Sequence, residues 1–481
     1  MGEKFEKFLL EAAKKEQNQI SPDNPYSSIG FDGDQKRLGW IQALTFPKLK
    51  AALEKISSRF EGKDNFIFVG MGGSINGIKP LISIFKNSCF YTLDNLDPQA
   101  LLEIVSEIKH LDKAMVISIS KSGTTKETQL LTFALKELFI KALGPDKWSE
   151  HFIWLSDPDS FAKLNSLGWE KATKAPIQID AESDIGGRFS SPHTLIFLLP
   201  LFLLLERNYS KLQEIYDSFI SLQGKVRSKA YAFAEQYKDK PDAYFSPLVE
   251  EKLGKSFSSW IVQLFQESLG SKLDGLAVKA ITNLGQDDKF ANIGLDIDIP
   301  DPVVSIMSQM YFFQIFIAAF SLNKGINFVT QGYVEKYKSQ MHALESQGAV
   351  SLEIEEKDID SIINKVKQEI KPGQDFLEVI LYFYPSLKCL TKLEEQFKKA
   401  FAARQVLLFL GSDWNHQSYQ AAFGSKDTFY ALLVSSSYNR QNLDLPELSL
   451  KKNTQTLKLI AKATYLTIKD KSLLFSLSYQ A

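Results

Sequence analysis

Short apolar runs in this chain end in glycine- or hydroxyl-rich turns, and each turn leads into a segment of helical periodicity. Phe66–Val69 runs into Gly70-Met71-Gly72-Gly73-Ser74. Ala114–Ile117 runs into Ser118-Ile119-Ser120-Lys121-Ser122-Gly123-Thr124-Thr125, followed by an amphipathic stretch from Thr128 to Leu138. Cys89–Leu93 and Phe152–Leu155 are two further apolar runs, with helical patterns over Pro98–Ile108 and Glu127–Leu143 between them. Strands alternating with helices predict a parallel sheet with right-handed crossovers. Ligands in such sheets bind outside the C-terminal strand ends, so both turns are expected at one crevice.

At 481 residues the chain exceeds one compact core. The expected division is an N-terminal helical arm over 1–45, a first α/β domain over 46–225, and a second over 226–481 with a C-terminal extension. The break is sought in the charged helical region between 220 and 245. The second half carries apolar segments at 277–281, 327–329, 350–354, 379–383, 406–410 and 430–434. A net charge of -1 excludes a broad basic footprint for nucleic acid. Cys89 and Cys389 are far apart and lack metal spacing, which suits a reducing compartment. Met1–Phe5 alternates charges and does not resemble a signal peptide. Leu195–Leu205 and Met310–Leu322 are too short to span a bilayer and suit buried helices. The expectation is a cytoplasmic protein without nucleic-acid or membrane partners.

The hydroxyl-rich turn has the chemistry of a phosphate-monoester site. Backbone N–H groups at a helix start attract anions, and four hydroxyls and a lysine surround them. No nucleotide-binding glycine motif is present. The plain alternative is a solvated turn that caps a helix. Gly70–Ser74 lets backbone approach a ligand closely, or is simply a tight turn. In Asp184-Ile185-Gly186-Gly187-Arg188-Phe189-Ser190, Arg188 can present a fixed, always-charged donor to an oxyanion, or pair at the surface with Asp184 or Glu182. Gln263 and Glu267 are four apart on one helical face that ends at Gly270. A carboxylate at a helix C-terminus is disfavoured there, which suits a base, although a pair with Lys272 is the simpler reading. Gln331 ends an apolar segment, and Lys338 lies two helical turns later. The five histidines show no metal-ligand spacing.

Together and in order, SKSGTTKET, IGGRFS and QESLGSK resemble the phosphoglucose isomerase family, with matching motifs from about residue 66 to 340. The resemblance implies two sugar-isomerase domains, each an α/β/α sandwich around a mainly parallel sheet. It implies interconversion of glucose 6-phosphate and fructose 6-phosphate through a cis-enediol, with a hexose 6-phosphate as partner and no cofactor. Ser120, Lys121, Ser122 and Thr125 would hold the phosphate, and Gly73 and Ser74 the sugar. Arg188 would stabilise the enediolate, Glu267 would carry the proton between C2 and C1, and Gln263 would position the substrate. Gln331 resembles the phosphate-side glutamine, and Lys338 the lysine that assists ring opening. A homodimer and a monomer both remain open.

The chain departs from the family where a ring-opening histidine is usual. Gly285-Gln286-Asp287-Asp288 has Asp287 at that place. The C-terminal third is similar instead to the isomerase half of bacterial transaldolase–isomerase fusions, at Asp375–Ile380, Gly411–Gly424, Asp444–Pro446 and a closing strand expected over Ala463–Ile468. That similarity makes His416 the candidate for ring opening, against the plainer reading of a satisfied structural histidine. Two other activities stay open: an isomerase that also accepts mannose 6-phosphate, and a weakly active sugar-phosphate-binding protein.

Overall fold

In a computed structural model, the N-terminal arm opens with helix Glu3–Ala13 and continues as a hairpin of β1 (Phe31–Asp32) and β2 (Gln35–Lys36). The structure describes residues 2–13, 29–33, 35–239, 244–250, 253–270, 278–284, 287–330, 332–346, 353–438 and 447–478.

The first sheet contains β3 (Asn65–Val69), β4 (Phe90–Leu93), β5 (Ala114–Ile119), β6 (Phe152–Ser156) and β7 (Thr173–Pro176). All its pairings are parallel, in the order β4-β3-β5-β6-β7. Strand side chains alternate between faces. Phe66 and Phe68 of β3 therefore enter one core, and Ile67 and Val69 the other. On β5, Met115, Ile117 and Ile119 take the first core and Ala114 and Val116 the second. Burial on both faces is the condition for an all-parallel sheet. The strand order reverses between β3 and β5, so their C-terminal turns flank the crevice where such sheets bind ligands.

A short parallel sheet of β8 (Tyr244–Pro247), β9 (Lys279–Ala280) and β10 (Ala291–Ile293) follows, in the order β10-β8-β9. The last sheet contains β11 (Glu356–Lys357), β12 (Phe376–Tyr382), β13 (Gln405–Leu410), β14 (Thr428–Ser435) and β15 (Ser472–Leu477). It is also wholly parallel, in the order β11-β15-β14-β12-β13. The expected α/β class with two main parallel sheets is what the chain forms.

Helix Tyr209–Gln236 runs unbroken through residues 225 and 226 and packs on helix Pro302–Lys324. The latter is apolar on every side and is long and apolar enough to cross a membrane by composition, yet it is buried in this chain's own core. Asp301 caps its start by accepting from the Val303 and Val304 amides at 2.8 and 2.9 Å.

One local expectation needs correction, and two apolar segments take other forms. Ala463–Thr467 is not a strand but the end of helix Glu447–Thr467, and the closing strand is β15. The β-branched run at 463–468 suggests a strand, but Leu457, Ile460, Ala461 and Thr464 form one buried helical stripe. Residues 327–329 form a bent loop between helices. Of the segment 350–354, the described residues 353 and 354 form no strand. Asp444–Pro446 lies outside the described residues.

Candidate active site

A cavity of about 520 Å³ opens at the C-terminal ends of β3 and β5, and elements of the second half close it. Its wall includes Gly73, Ser74, Lys121, Ser122, Thr125, Arg188, Gln263, Glu267, Lys338 and His416. Predicted site residues from well-separated stretches of sequence thus meet in one place. Ser120 lies beneath the turn, with Oγ 3.0 Å from Thr125 Oγ1. Gln331 lies outside the described residues. Asp287 is not in the cavity wall; its carboxylate accepts from the Lys289 amide at 2.9 Å.

The turn after β5 leads into the 18-residue helix Lys126–Leu143. Thr125 is its N-cap, but the hydroxyl makes no capping bond. First-turn amides without a side-chain cap are anion donors. Ser122 Oγ and Thr124 Oγ1, 2.9 Å apart, add hydroxyls above them. Lys121 is placed differently from a simple phosphate ligand. Its Nζ donates to Ser183 O at 2.9 Å and Ile185 O at 2.6 Å, and Asp157 lies 3.7 Å away. Burial lowers its pKa to about 8, although Asp157 opposes the shift.

Arg188 is 2% exposed. It does not pair with Asp184 or Glu182. Nε donates to Ser268 Oγ at 2.8 Å, Nη1 to Glu267 Oε1 at 3.1 Å, and Nη2 to Phe328 O at 2.6 Å. The bent loop at 327–329 thus has a use that an extended strand would not supply. Behind it, Phe189 stacks on Trp40 at 4.9 Å and packs on Phe328 at 5.4 Å, which fixes the Gly187–Phe189 turn. A buried guanidinium with three fixed acceptors cannot swing away.

Glu267 projects from helix Gly254–Leu269. Its second oxygen accepts from Gln263 Nε2 at 2.9 Å, and the same nitrogen donates to His416 O at 2.9 Å. Asn76 Nδ2 completes the chain by donating to Gln263 Oε1 at 3.1 Å. Gln263 therefore ties the carboxylate to the backbone that carries His416. Gly72, at φ +53°, is the close-approach position: a Cβ there would sit 2.9 Å from both Gln263 Nε2 and His416 Cβ. Its amide donates to Asp413 Oδ1 at 3.2 Å.

His416 lies on the short helix Asp413–Gln417 after β13. Its Nε2 is 3.0 Å from Glu127 Oε1. Glu127 was missed in the sequence, where it reads as an ordinary acidic residue of a first helical turn. Burial acts to lower the His416 pKa, but the charge and hydrogen bond of Glu127 outweigh it and leave the imidazole raised above 6.5. Glu127 is correspondingly lowered: burial acts to raise it, and His416 reverses the sign. A raised histidine pKa contributes stability that is complete below the unfolded value and is lost as pH rises through the folded one. The excess melting temperature of wild type over His416→Gln should therefore be largest below about pH 6.5 and shrink above it. A difference that grows with pH would mean that the pair does not hold an imidazolium.

Arg37, Asp157, Tyr337 and His342 also line the cavity and carried no motif signal, and Lys126 of SKSGTTKET joins them.

Residues 46–218 match the family model described as phosphoglucose isomerase. A glucose-6-phosphate isomerase of Thermus thermophilus is 28% identical over 273 residues, covering 54% of this chain and 62% of that protein. One of Methanocaldococcus jannaschii is 28% identical over 307 residues, covering 60% and 70%. The chain thus spans less than two thirds of the length of the Thermus relative. Among solved structures, a hypothetical protein from Thermus thermophilus superposes with a TM-score of 0.51 at 20% identity, over 71% of this chain and 93% of that one, and shares its fold. The family match covers the turns after β3 and β5 and Arg188, and the glucose-6-phosphate isomerases above are similar over a longer stretch: this part of the chain resembles the phosphoglucose isomerase family.

Proposed function

We propose that the chain interconverts glucose 6-phosphate and fructose 6-phosphate by carrying a proton between C2 and C1 of a cis-enediol. The observation that supports this most directly is the buried contact of Arg188 Nη1 with Glu267 Oε1 at 3.1 Å. It lies in the wall of a cavity that also holds Ser122 and Thr125. Removing a proton from a carbon beside a carbonyl needs a base and a stabiliser for the oxygen that gains charge. Glu267 is the base, and Arg188 faces the enediolate oxygen. Ser122, Thr125 and the amides of the helix start hold the phosphate, and Ser120 braces Thr125 from below. Gly73 and Ser74 border the sugar.

A cyclic sugar must open first, which takes an acid and a base at the ring oxygen and the anomeric hydroxyl. His416, paired with Glu127, supplies this exchange, and Lys338 assists it. Gln263 holds Glu267 and the His416 backbone in one frame. A hexose 6-phosphate substrate also fits the expected cytoplasmic setting.

Conversion of fructose 6-phosphate to glucose 6-phosphate in a coupled assay, with mannose 6-phosphate in parallel, tests the reading. The expected turnover on fructose 6-phosphate exceeds about 10 per second. Tight binding without turnover would leave a sugar-phosphate-binding protein in place of an enzyme.

A further inference from the structure

The N-terminal arm does more than pack. Arg37-Leu38-Gly39 runs antiparallel beside Ser183-Asp184-Ile185, the segment that leads into Gly187 and Arg188. Leu38 forms a bridge with Ile185, the Gly39 amide donates to Asp184 O at 3.2 Å, and the Arg37 amide donates to Gly30 O at 3.0 Å. The Leu38–Ile185 bridge and the Gly39 amide therefore dock the arm on this segment through backbone, beside whatever the Arg37 side chain adds. Arg37 lines the cavity that Ser122, Thr124 and Thr125 also line, and its charge lies close enough to Lys121 and Asp157 to act on both. Nη1 donates to Ser183 O at 2.6 Å, the carbonyl that also accepts from Lys121 Nζ. Its other charged contact is loose: Nη2 lies 3.9 Å from the carboxylate of Asp32, which is half exposed.

A phosphate dianion needs cationic donors. Lys121 is spent on two carbonyls and a carboxylate, and Lys126 pairs with Glu345, so both lysines of the turn already have partners. Resting on the isomerase reading above, we infer that Arg37 is a further substrate-binding residue, whose guanidinium takes the phosphate of the sugar on the Ser122–Thr125 turn. Its planar fork suits phosphate geometry and stays charged at any working pH. Lys121 then acts as a positioning residue, bracing the 183–185 segment that Arg37 and Arg188 share. A bound dianion also relieves the repulsion between the two neighbouring cations.

Arg37→Met and Arg37→Lys test this. Arg37→Met should raise KM for fructose 6-phosphate about 10- to 100-fold, more than it lowers kcat, because a charged hydrogen bond to the bound ligand is lost. Inorganic phosphate, as a competitive inhibitor, should weaken by a similar factor, and sorbitol, which has no phosphate, should not change. Arg37→Lys should recover part of the phosphate affinity. KM and phosphate affinity within twofold of wild type in Arg37→Met would overturn the inference. So would an equal loss for sorbitol with a lowered melting temperature that Arg37→Lys does not restore, which would make Arg37 a brace. Calorimetric titration of phosphate and fructose 6-phosphate reads Arg37 even if wild type proves inactive, so failure of the isomerase reading and failure of this one are distinguishable.

Discussion

Glu267→Gln is expected to lower kcat about 10³- to 10⁴-fold while KM changes little, because it removes the general base and keeps the side-chain shape. The geometry adds a qualification that can be measured. Both carboxylate oxygens take a donor, from Arg188 at 3.1 Å and from Gln263 at 2.9 Å. The amide of the variant must turn its NH₂ toward one of them, so one hydrogen bond is exchanged for a donor–donor contact. Glu267→Asp keeps the charge on a shorter stem and should lose less, about 10²-fold. Thermal melts of both variants separate misplacement from lost chemistry. Turnover of Glu267→Gln within about tenfold of wild type would remove Glu267 as the base.

The second large effect concerns stability, at a site remote from the cavity wall. Lys279 of β9 and Glu378 of β12 form an ion pair with side chains 2% and 1% exposed. Trp414 Nε1 donates to the other Glu378 oxygen at 2.8 Å. Trp414 sits on the helix that carries His416, so the pair anchors that helix from behind. Lys279→Met strands a buried carboxylate and should cost about 3–5 kcal/mol of folding stability. Lys279→Met with Glu378→Leu removes both charges of the pair and leaves the Trp414 N–H without its acceptor. It should cost less than the single change, about 1–3 kcal/mol. Urea midpoints of the three proteins decide it. A double variant less stable than Lys279→Met would show that the pair contributes net attraction.

Sequence carried four of the five strands of the first sheet by their apolar runs, and missed β7, whose Thr-Lys-Ala-Pro has none. Phe66–Val69 and Met115–Ile119 are β3 and β5, with the glycine and hydroxyl turns at their ends as expected. The second half was harder to read. The run at 463–468 has strand composition, but tertiary burial of Leu457, Ile460 and Thr464 decides for helix. In the site, motif residues whose side-chain chemistry is unusual for their place, such as Arg188 and Glu267, could be singled out. Glu127 and Arg37 could not, because a carboxylate in a first helical turn and an arginine in a polar hairpin are ordinary locally. Their meaning comes from His416 and the phosphate turn, which are distant in sequence. Lys121 shows the reverse: its motif promised a free cation, and two backbone carbonyls claim it.

The bonds from the Gly72 amide to Asp413, from Gln263 to the His416 carbonyl and between His416 and Glu127 all join earlier parts of the chain to its last third. This sets an order in time. As the chain leaves the ribosome, the first sheet and its phosphate turn emerge first, and domains fold in that order. The base arrives next with helix Gly254–Leu269. The imidazole follows only with β13, and its anchor Glu378 needs the last sheet. On the proposed roles, the phosphate turn is therefore made before the imidazole that would open the ring. On the same reading the site is complete only when the last sheet has folded against the crevice, and a chain cut short before residue 416 lacks its imidazole.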